Sequence, residues 1–443
     1  MDSKEAQKIQ TISKPAKIAV FSITCYTFGI GLISGLLLSR FNRKTGKYSL
    51  NPIAKIWSVV LAVSIVIYYP YAFSQLEVYN RNLMSLKSTM GLTTFVQVCL
   101  NYFSLILIYV IHFIRADVLM DILNNIHQIH IQINDLCSNC TSFVWNVFLL
   151  FIRKAFLVTL FAITFGYLYL RGMNEMLNIT NPLQMWYSCF VFMCPYFIQT
   201  FAGNFFYMGV LRVQLYLKII NESLTRAIEE MKNIRHLSQF NQMSEYCRKS
   251  DLIDQLSIFH CEACGMMRKF TSIYASQMLI LIIIAFFNTL AQLYYLYFTI
   301  KMNLMGQQRT DWSISLYSIL FSYFQYVDLF FHVKTSMETM QESQRTGKLL
   351  HNLPVLHADE RLKKSVSLIA THWPNGRQFN RSCHFQVNIF SIQIVQDKLD
   401  ITICGMFPLD FTLITSSVSS LIGFLIIMIQ FDLALNLPTT RKQ

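Results

Sequence analysis

Charged side chains are missing from eight long stretches of this chain: 18–39, 56–76, 88–114, 155–170, a run ending at 211, 270–300, 312–327 and 411–431. An apolar helix of about 20 residues crosses the ~30 Å hydrocarbon core of a bilayer. Inside that core every backbone amide must be satisfied within the segment, which leaves helices as the economical solution. The composition agrees, because 53% hydrophobic against 14% charged residues excludes a soluble globular protein. The net charge of +13 does not indicate a nucleic-acid partner, since the basic residues are scattered between the apolar runs.

Eight runs do not require eight crossings. The first contains Gly29, Gly31 and Gly35, and it is flanked by Lys14 and Lys17 on one side and Arg40, Arg43 and Lys44 on the other. Lys and Arg stay on the cytoplasmic side, so two basic flanks predict a re-entrant segment at 18–39 rather than a crossing. A signal peptide is the other reading, but the apolar core is overlong and no small-residue cleavage site follows.

Seven crossings with the N-terminus inside place nine Lys and Arg in 1–55, three in 115–154, nine in 212–269 and nine in 334–404, which is 30 inside against seven outside. That asymmetry sets the orientation, with the C-terminus outside. Asn178, in Asn178-Ile179-Thr180, is an N-glycosylation acceptor in a predicted outside loop, whereas the sequons at Asn139 and Asn221 fall inside as chance matches.

The fold class is thus an all-α polytopic membrane protein with seven transmembrane helices and long cytoplasmic helical extensions. The chain divides into a cytoplasmic N-terminus at 1–55, helices one to six within 56–333, a cytoplasmic anchor region at 334–404, a last transmembrane helix within 405–431 and an extracellular tail at 432–443. Cytoplasmic helices are expected within 115–154 and 212–269. Leu119, Ile122, Ile126, Ile129, Ile133 and Leu136 share one helical face, as do Leu217, Ile220, Leu224, Ile228 and Met231, and then Leu252, Leu256, Phe259, Ala263 and Met266. With nine basic against seven acidic residues in 212–269, these stripes suit bundle packing better than a membrane surface. A turn at His372 to Gly376 and a last cytoplasmic helix near 385–399 precede the final crossing.

The last run is patterned. Thr412, Ser416, Ser420, Gly423, Ile427 and Gln430 recur every three or four residues and form a narrow stripe of small or polar side chains on an otherwise apolar helix. From spacing alone, close packing against a neighbouring helix comes before a pore lining.

The carboxy-terminal end also resembles the signature of the insect gustatory receptor family: Thr-Tyr, five apolar residues, then Gln-Phe. Here Gly423-Phe424 stand in the Thr-Tyr place, Leu425 to Ile429 form the apolar run, and Gln430-Phe431 match. Phe390, Gln393, Lys398-Leu399, Cys404-Gly405, Phe407 and Leu409-Asp410 stand where that family carries similar residues. The resemblance implies a gustatory receptor acting as a ligand-gated non-selective cation channel in the plasma membrane of chemosensory neurons. It further implies a homo- or hetero-tetramer of related subunits, with Gln430 and Phe431 as the constriction and Ile427, Gly423 and Ser420 along the same pore face. Its ligand would be a small-molecule tastant, with bitter compounds the default for a divergent member. A G-protein-coupled chemoreceptor is the alternative and would need the opposite orientation. A membrane transporter comes third, and would show repeated halves or helices broken at mid-membrane.

A pocket facing outward would draw on the outer ends of the crossings: Gln97, Asn101, Tyr102, Tyr167, Tyr169, Trp186, Tyr187, Gln292, Tyr294, Tyr295, Trp312 and Tyr317. Rings with a few amides suit small organic ligands. An interfacial aromatic belt accounts for most of these residues equally well. Asp328 and Asp410 are acids at crossing ends, hydrated or paired with a nearby base, and Asp410 reads as a hinge or anchor. The pairs Cys137/Cys140 and Cys261/Cys264, the second beside His260, lack the turn residues of a zinc knuckle, so no metal is assigned. No phosphate loop, His-Glu-x-x-His or nucleophile elbow appears, and neither an enzyme nor a cofactor is expected.

Overall fold

The computed structural model describes residues 29–42, 45–79, 89–136, 149–154, single positions between 157 and 167, 181–233, 238–305, 312–351 and 399–436. The expected turn at 372–376, the helix near 385–399, Asn178, Tyr169, Cys137 and Cys140 lie outside those residues, as do 18–28 and the side chain of Trp312.

The described part of the first apolar run ends in a turn at Ser34 and Gly35. Gly35 takes φ +69°, a left-handed value suited to glycine, and Leu36, Leu37 and Leu38 turn inward. A hairpin follows, β1 (Ser39–Asn42) antiparallel to β2 (Lys47–Leu50), with Phe41 opposite Tyr48. The chain then becomes helical: α1 (Pro52–Tyr79), α2 (Thr89–Ile114), α3 (Ala116–Leu136), α4 (Pro182–Asn233), α5 (Gln239–Leu304), α6 (Trp312–His351) and α7 (Phe411–Asn436). Among the described residues five helices are long and apolar enough to cross a membrane, with spans at Pro52–Leu76, Gly91–Ile114, Pro182–Asn233, Phe240–Leu304 and Phe411–Ala434.

Helices α4 and α5 run for 52 and 66 residues. At 1.5 Å per residue these are roughly 80 and 100 Å long, far beyond a bilayer. Their amphipathic ends find each other. Ile129 and Ile133 of α3, Leu215 to Met231 of α4, Ile253, Leu256, Phe259 and Met266 of α5 and Leu350 of α6 form one buried cluster. In water each such aliphatic side chain contributes about 1.5–3 kcal/mol. Buried polar rungs set the register between α4 and α6. Gln214 Nε2 donates to Glu338 Oε2 at 2.8 Å, and Asn221 bonds both Glu342 (2.9 Å) and Thr346 (2.6 Å). The Asn221 sequon is therefore enclosed.

Close approach helps the helices meet. A Cβ on Gly209 of α4 would lie 2.1 Å from the Phe270 ring of α5, so only glycine permits this contact. Before α7 the chain makes a small hairpin, β3 (Thr402–Ile403) with β4 (Phe407–Pro408), turning at Cys404 and Gly405, both at positive φ. Asp410 then caps α7, its Oδ1 accepting from the Thr412 amide at 3.0 Å. It acts as the anchor of the helix entry.

Candidate functional site: the last helix and the cavity beside it

Among the described residues, helix α7 packs on α5 and α6 along one side only. Leu421 is buried, Ser417 Oγ lies 3.0 Å from the Tyr326 hydroxyl, Phe424 meets Phe286 edge-on at 6.0 Å, and Phe411 meets Phe330 at 5.6 Å. Only 6% of its apolar span is buried. Thr412, Ser416, Ser420, Gly423, Ile427 and Gln430 are all exposed, and nothing lies within 4 Å of a Cβ added to Gly423. At 100° per residue this stripe sits roughly 130° around the helix from the packing side. A third, mostly apolar side carries Val418, Ile422, Ile426 and Leu433, with Thr415 among them and Ser419 at its edge. Phe431 is 63% exposed, at the edge between packing side and stripe. The helix thus presents three sides, of which the described residues of its own chain cover one.

The described aromatic and amide candidates for the pocket fall into more than one group. Tyr102 stacks on Tyr69 at 5.4 Å and Tyr187 contacts Tyr68 at 6.3 Å, in a cluster joining α1, α2 and α4. Gln292 and Tyr317 lie elsewhere, where Ser318 donates to Gln292 Oε1 at 3.1 Å and the Tyr317 ring is 6.0 Å from that of Phe321. Trp186 points outward, as a belt residue would. Gln97 and Tyr295 are half-buried on α2 and α5.

A cavity of about 50 Å³ opens between α4, α5 and α6, with polar lining from Tyr196, Gln199, Thr200, Gln325, Asp328 and His332. Gln199 also donates to Asn101 Oδ1 (3.2 Å) and Ser104 Oγ (2.6 Å) of α2, tying the cavity wall to a third helix. Behind it lies a charged cluster. Lys154 Nζ is 3.2 Å from Asp328 Oδ1 and stands 4.1 Å over the Tyr207 ring, with 3% of its side chain exposed against 32% for Asp328. His332 Nε2 is 2.9 Å from the Gly203 carbonyl and Nδ1 is 2.8 Å from the Asp328 carbonyl. Asp328 is thus paired, and its remaining exposed surface belongs to a residue lining the cavity. Lys154 and His332 were invisible as partners in the sequence, where 178 positions separate them. The one available signal was a lysine at the edge of an apolar run.

Cys264 is buried against His260 (3.8 Å) and Ser343 (3.4 Å), while Cys261 is exposed, so the pair diverges around α5. Among the described residues no three His, Cys, Asp or Glu side chains gather as metal ligands.

The family model described as 7tm Chemosensory receptor matches residues 24–375 and 373–435. A Drosophila melanogaster chain named, provisionally, gustatory receptor 97a is 21% identical over 421 residues, 92% of this chain and 90% of its own length. The gustatory receptor for bitter taste 66a of the same species is 24% identical over 195 residues, 44% of this chain and 33% of its own. The insect olfactory receptor OR5 from Machilis hrabei shares the fold, with a TM-score of 0.59 at 13% identity over 94% of this chain and 99% of that one. Its eugenol complex gives 0.54 at 13% identity, over 93% and 99%.

Proposed function

This chain belongs to the 7tm chemosensory receptor family, and on that premise we propose that it is a gustatory receptor working as a ligand-gated, non-selective cation channel. It is a multi-pass membrane protein with seven crossings, N-terminus inside and C-terminus outside. It assembles as a homo- or hetero-tetramer of related subunits in the plasma membrane of chemosensory neurons. Its ligands are small-molecule tastants of the bitter class.

The observation that carries this reading is the one-sided packing of α7. A transmembrane helix whose small and polar stripe is left uncovered by the described residues of its own subunit is suited to line an axis shared with other copies, while Val418, Ile422 and Ile426 face neighbours or lipid. Gln430 and Phe431 then narrow the outer mouth, with Ile427, Gly423 and Ser420 below them. A ligand held by α1, α2, α4, α5 and α6 acts on α7 through its contacts with α5 and α6. Similarity to gustatory receptor for bitter taste 66a supports the bitter class, and the eugenol complex of OR5 supports a small organic ligand.

The test is topology with current. Tags on both ends are labelled without permeabilisation while whole-cell current is recorded under G-protein block. An accessible C-terminus, a hidden N-terminus and a persisting cation current that Phe431→Ala alters support the channel. An accessible N-terminus, or a response abolished by the block, overturns it in favour of a G-protein-coupled receptor.

A further inference from the structure

We propose that the hairpin Ser39–Leu50, together with the adjoining ends of α1 and α2, is a binding surface for acidic phospholipid headgroups. The inference rests on α1 and α2 crossing the bilayer and is independent of the channel reading. Side chains alternate across a hairpin, and here the two faces differ completely. Phe41 and Tyr48 pack on the His127 ring of α3 at 5.3 and 6.2 Å, and Asn124 brackets the Tyr48 backbone, accepting from its amide at 2.7 Å and donating to its carbonyl at 3.1 Å. The opposite face, Arg40 and Asn42 beside Lys47 and Ser49 in the strand register, is wholly exposed and polar.

That face stands where chain meets membrane. Asn51 alone separates β2 from α1, whose first turns expose Ile53 (76%), Ile56 and Trp57. Lys55 rises from the same turn with Nζ 4.8 Å over the Phe113 ring of α2. Arg115 follows Ile114, itself 68% exposed, where α2 ends. Four exposed bases, Arg40, Lys47, Lys55 and Arg115, therefore border lipid-facing aliphatic side chains. Among the described residues none of the four is ion-paired with a carboxylate. Asp117 and Asp121 on the first turns of α3 are the acids beside them, and both are exposed. The sequence holds no Asp or Glu between Glu5 and Glu77, and Arg43 and Lys44 follow Asn42 in it.

A cluster of bases at the end of a membrane helix attracts anionic lipid, each residue adding about five-fold in affinity when it lies within a Debye length of the surface. The mixture of charge and exposed aliphatic groups selects lipid over a soluble anion. Headgroup oxygens meet the bases while acyl chains lie along Ile53, Ile56 and Ile114, and a free phosphate has no use for that apolar half.

The experiment uses the purified full chain in neutral detergent, with fluorescent phosphatidylserine or phosphatidylcholine of identical acyl chains partitioned into the micelles. Retention of phosphatidylserine over phosphatidylcholine is expected, weakened about ten-fold or more in Arg40→Gln/Lys47→Gln/Lys55→Gln/Arg115→Gln. Arg40→Gln/Lys47→Gln alone, which leaves the helix ends intact, gives a partial loss and stands in if the fourfold variant fails to fold. Arg226→Gln/Arg248→Gln, on the distant parts of α4 and α5, keeps the preference. Equal retention of the two lipids, or an equal loss in Arg226→Gln/Arg248→Gln, overturns the proposal. So does full displacement by millimolar inorganic phosphate, which would reveal a soluble-anion site.

Discussion

Lys301 on α5 and Asp432 on α7 form an ion pair one residue beyond Phe431, with the Tyr297 hydroxyl donating to the same carboxylate oxygen at 3.2 Å. Both side chains are nearly enclosed, so the pair holds the C-terminal end of α7 against α5 at the level of the proposed constriction. Asp432→Asn and Lys301→Gln are each expected to shift the ligand concentration for half-maximal current about ten-fold, about 1.4 kcal/mol. The exchanged pair Lys301→Asp/Asp432→Lys returns toward wild type. Dose–response curves of the three variants check this, and simple additivity in the exchange would show that the two residues act separately.

Asp328→Asn leaves Lys154 enclosed without its counter-charge. Breaking a buried pair from one side costs about 3–5 kcal/mol, here toward the lower end because Asp328 keeps some of its surface open. The expected result is a lower Tm in detergent and reduced surface expression. Lys154→Met/Asp328→Leu, which removes both charges, is expected to be milder than the single change.

Gly209→Val places its side chain inside the Phe270 ring. Overpacking of this kind costs about 1–3 kcal/mol, read as a lowered Tm. Gly209→Val/Phe270→Ala is expected to recover most of the loss, since the cost comes from one contact.

The three sides of α7 predict a pattern of thiol accessibility. Single cysteines at Ser416, Ser420 and Gln430 are expected to react with a charged, water-borne thiol reagent and alter current, while cysteines at Val418, Ile422 and Ile426 are not. Reaction on the apolar side instead would assign that side to the aqueous path.

Asn178→Gln is expected to remove the glycosidase-sensitive shift of the expressed chain on a gel, and Asn221→Gln to leave it intact, because Asn221 is held between Glu342 and Thr346. Glycosylation at Asn221 would contradict both the packing and the proposed orientation.

The sequence by itself determined the class of molecule and much of its local structure. Charge-free runs specify membrane helices, the spacing of Ile122, Ile129 and Ile133 specifies which face of α3 is buried, and the stripe on α7 is a matter of counting residues. Each of these is a periodicity along a single segment, and periodicity is local. The ion pairs Lys154–Asp328 and Lys301–Asp432 are not local. Neither is the exact contact of Gly209 with Phe270, nor the splitting of the aromatic candidates into more than one group. These depend on the register in which distant helices dock, and apolar helix surfaces of similar composition offer many registers. The scattered bases Arg40, Lys47, Lys55 and Arg115 became a single surface for the same reason: a hairpin and two helix ends brought them to one level. Only the packed tertiary structure decides which residues far apart in the chain become neighbours, because the tight fit and the buried polar rungs that choose one register over the others exist only once the helices are together.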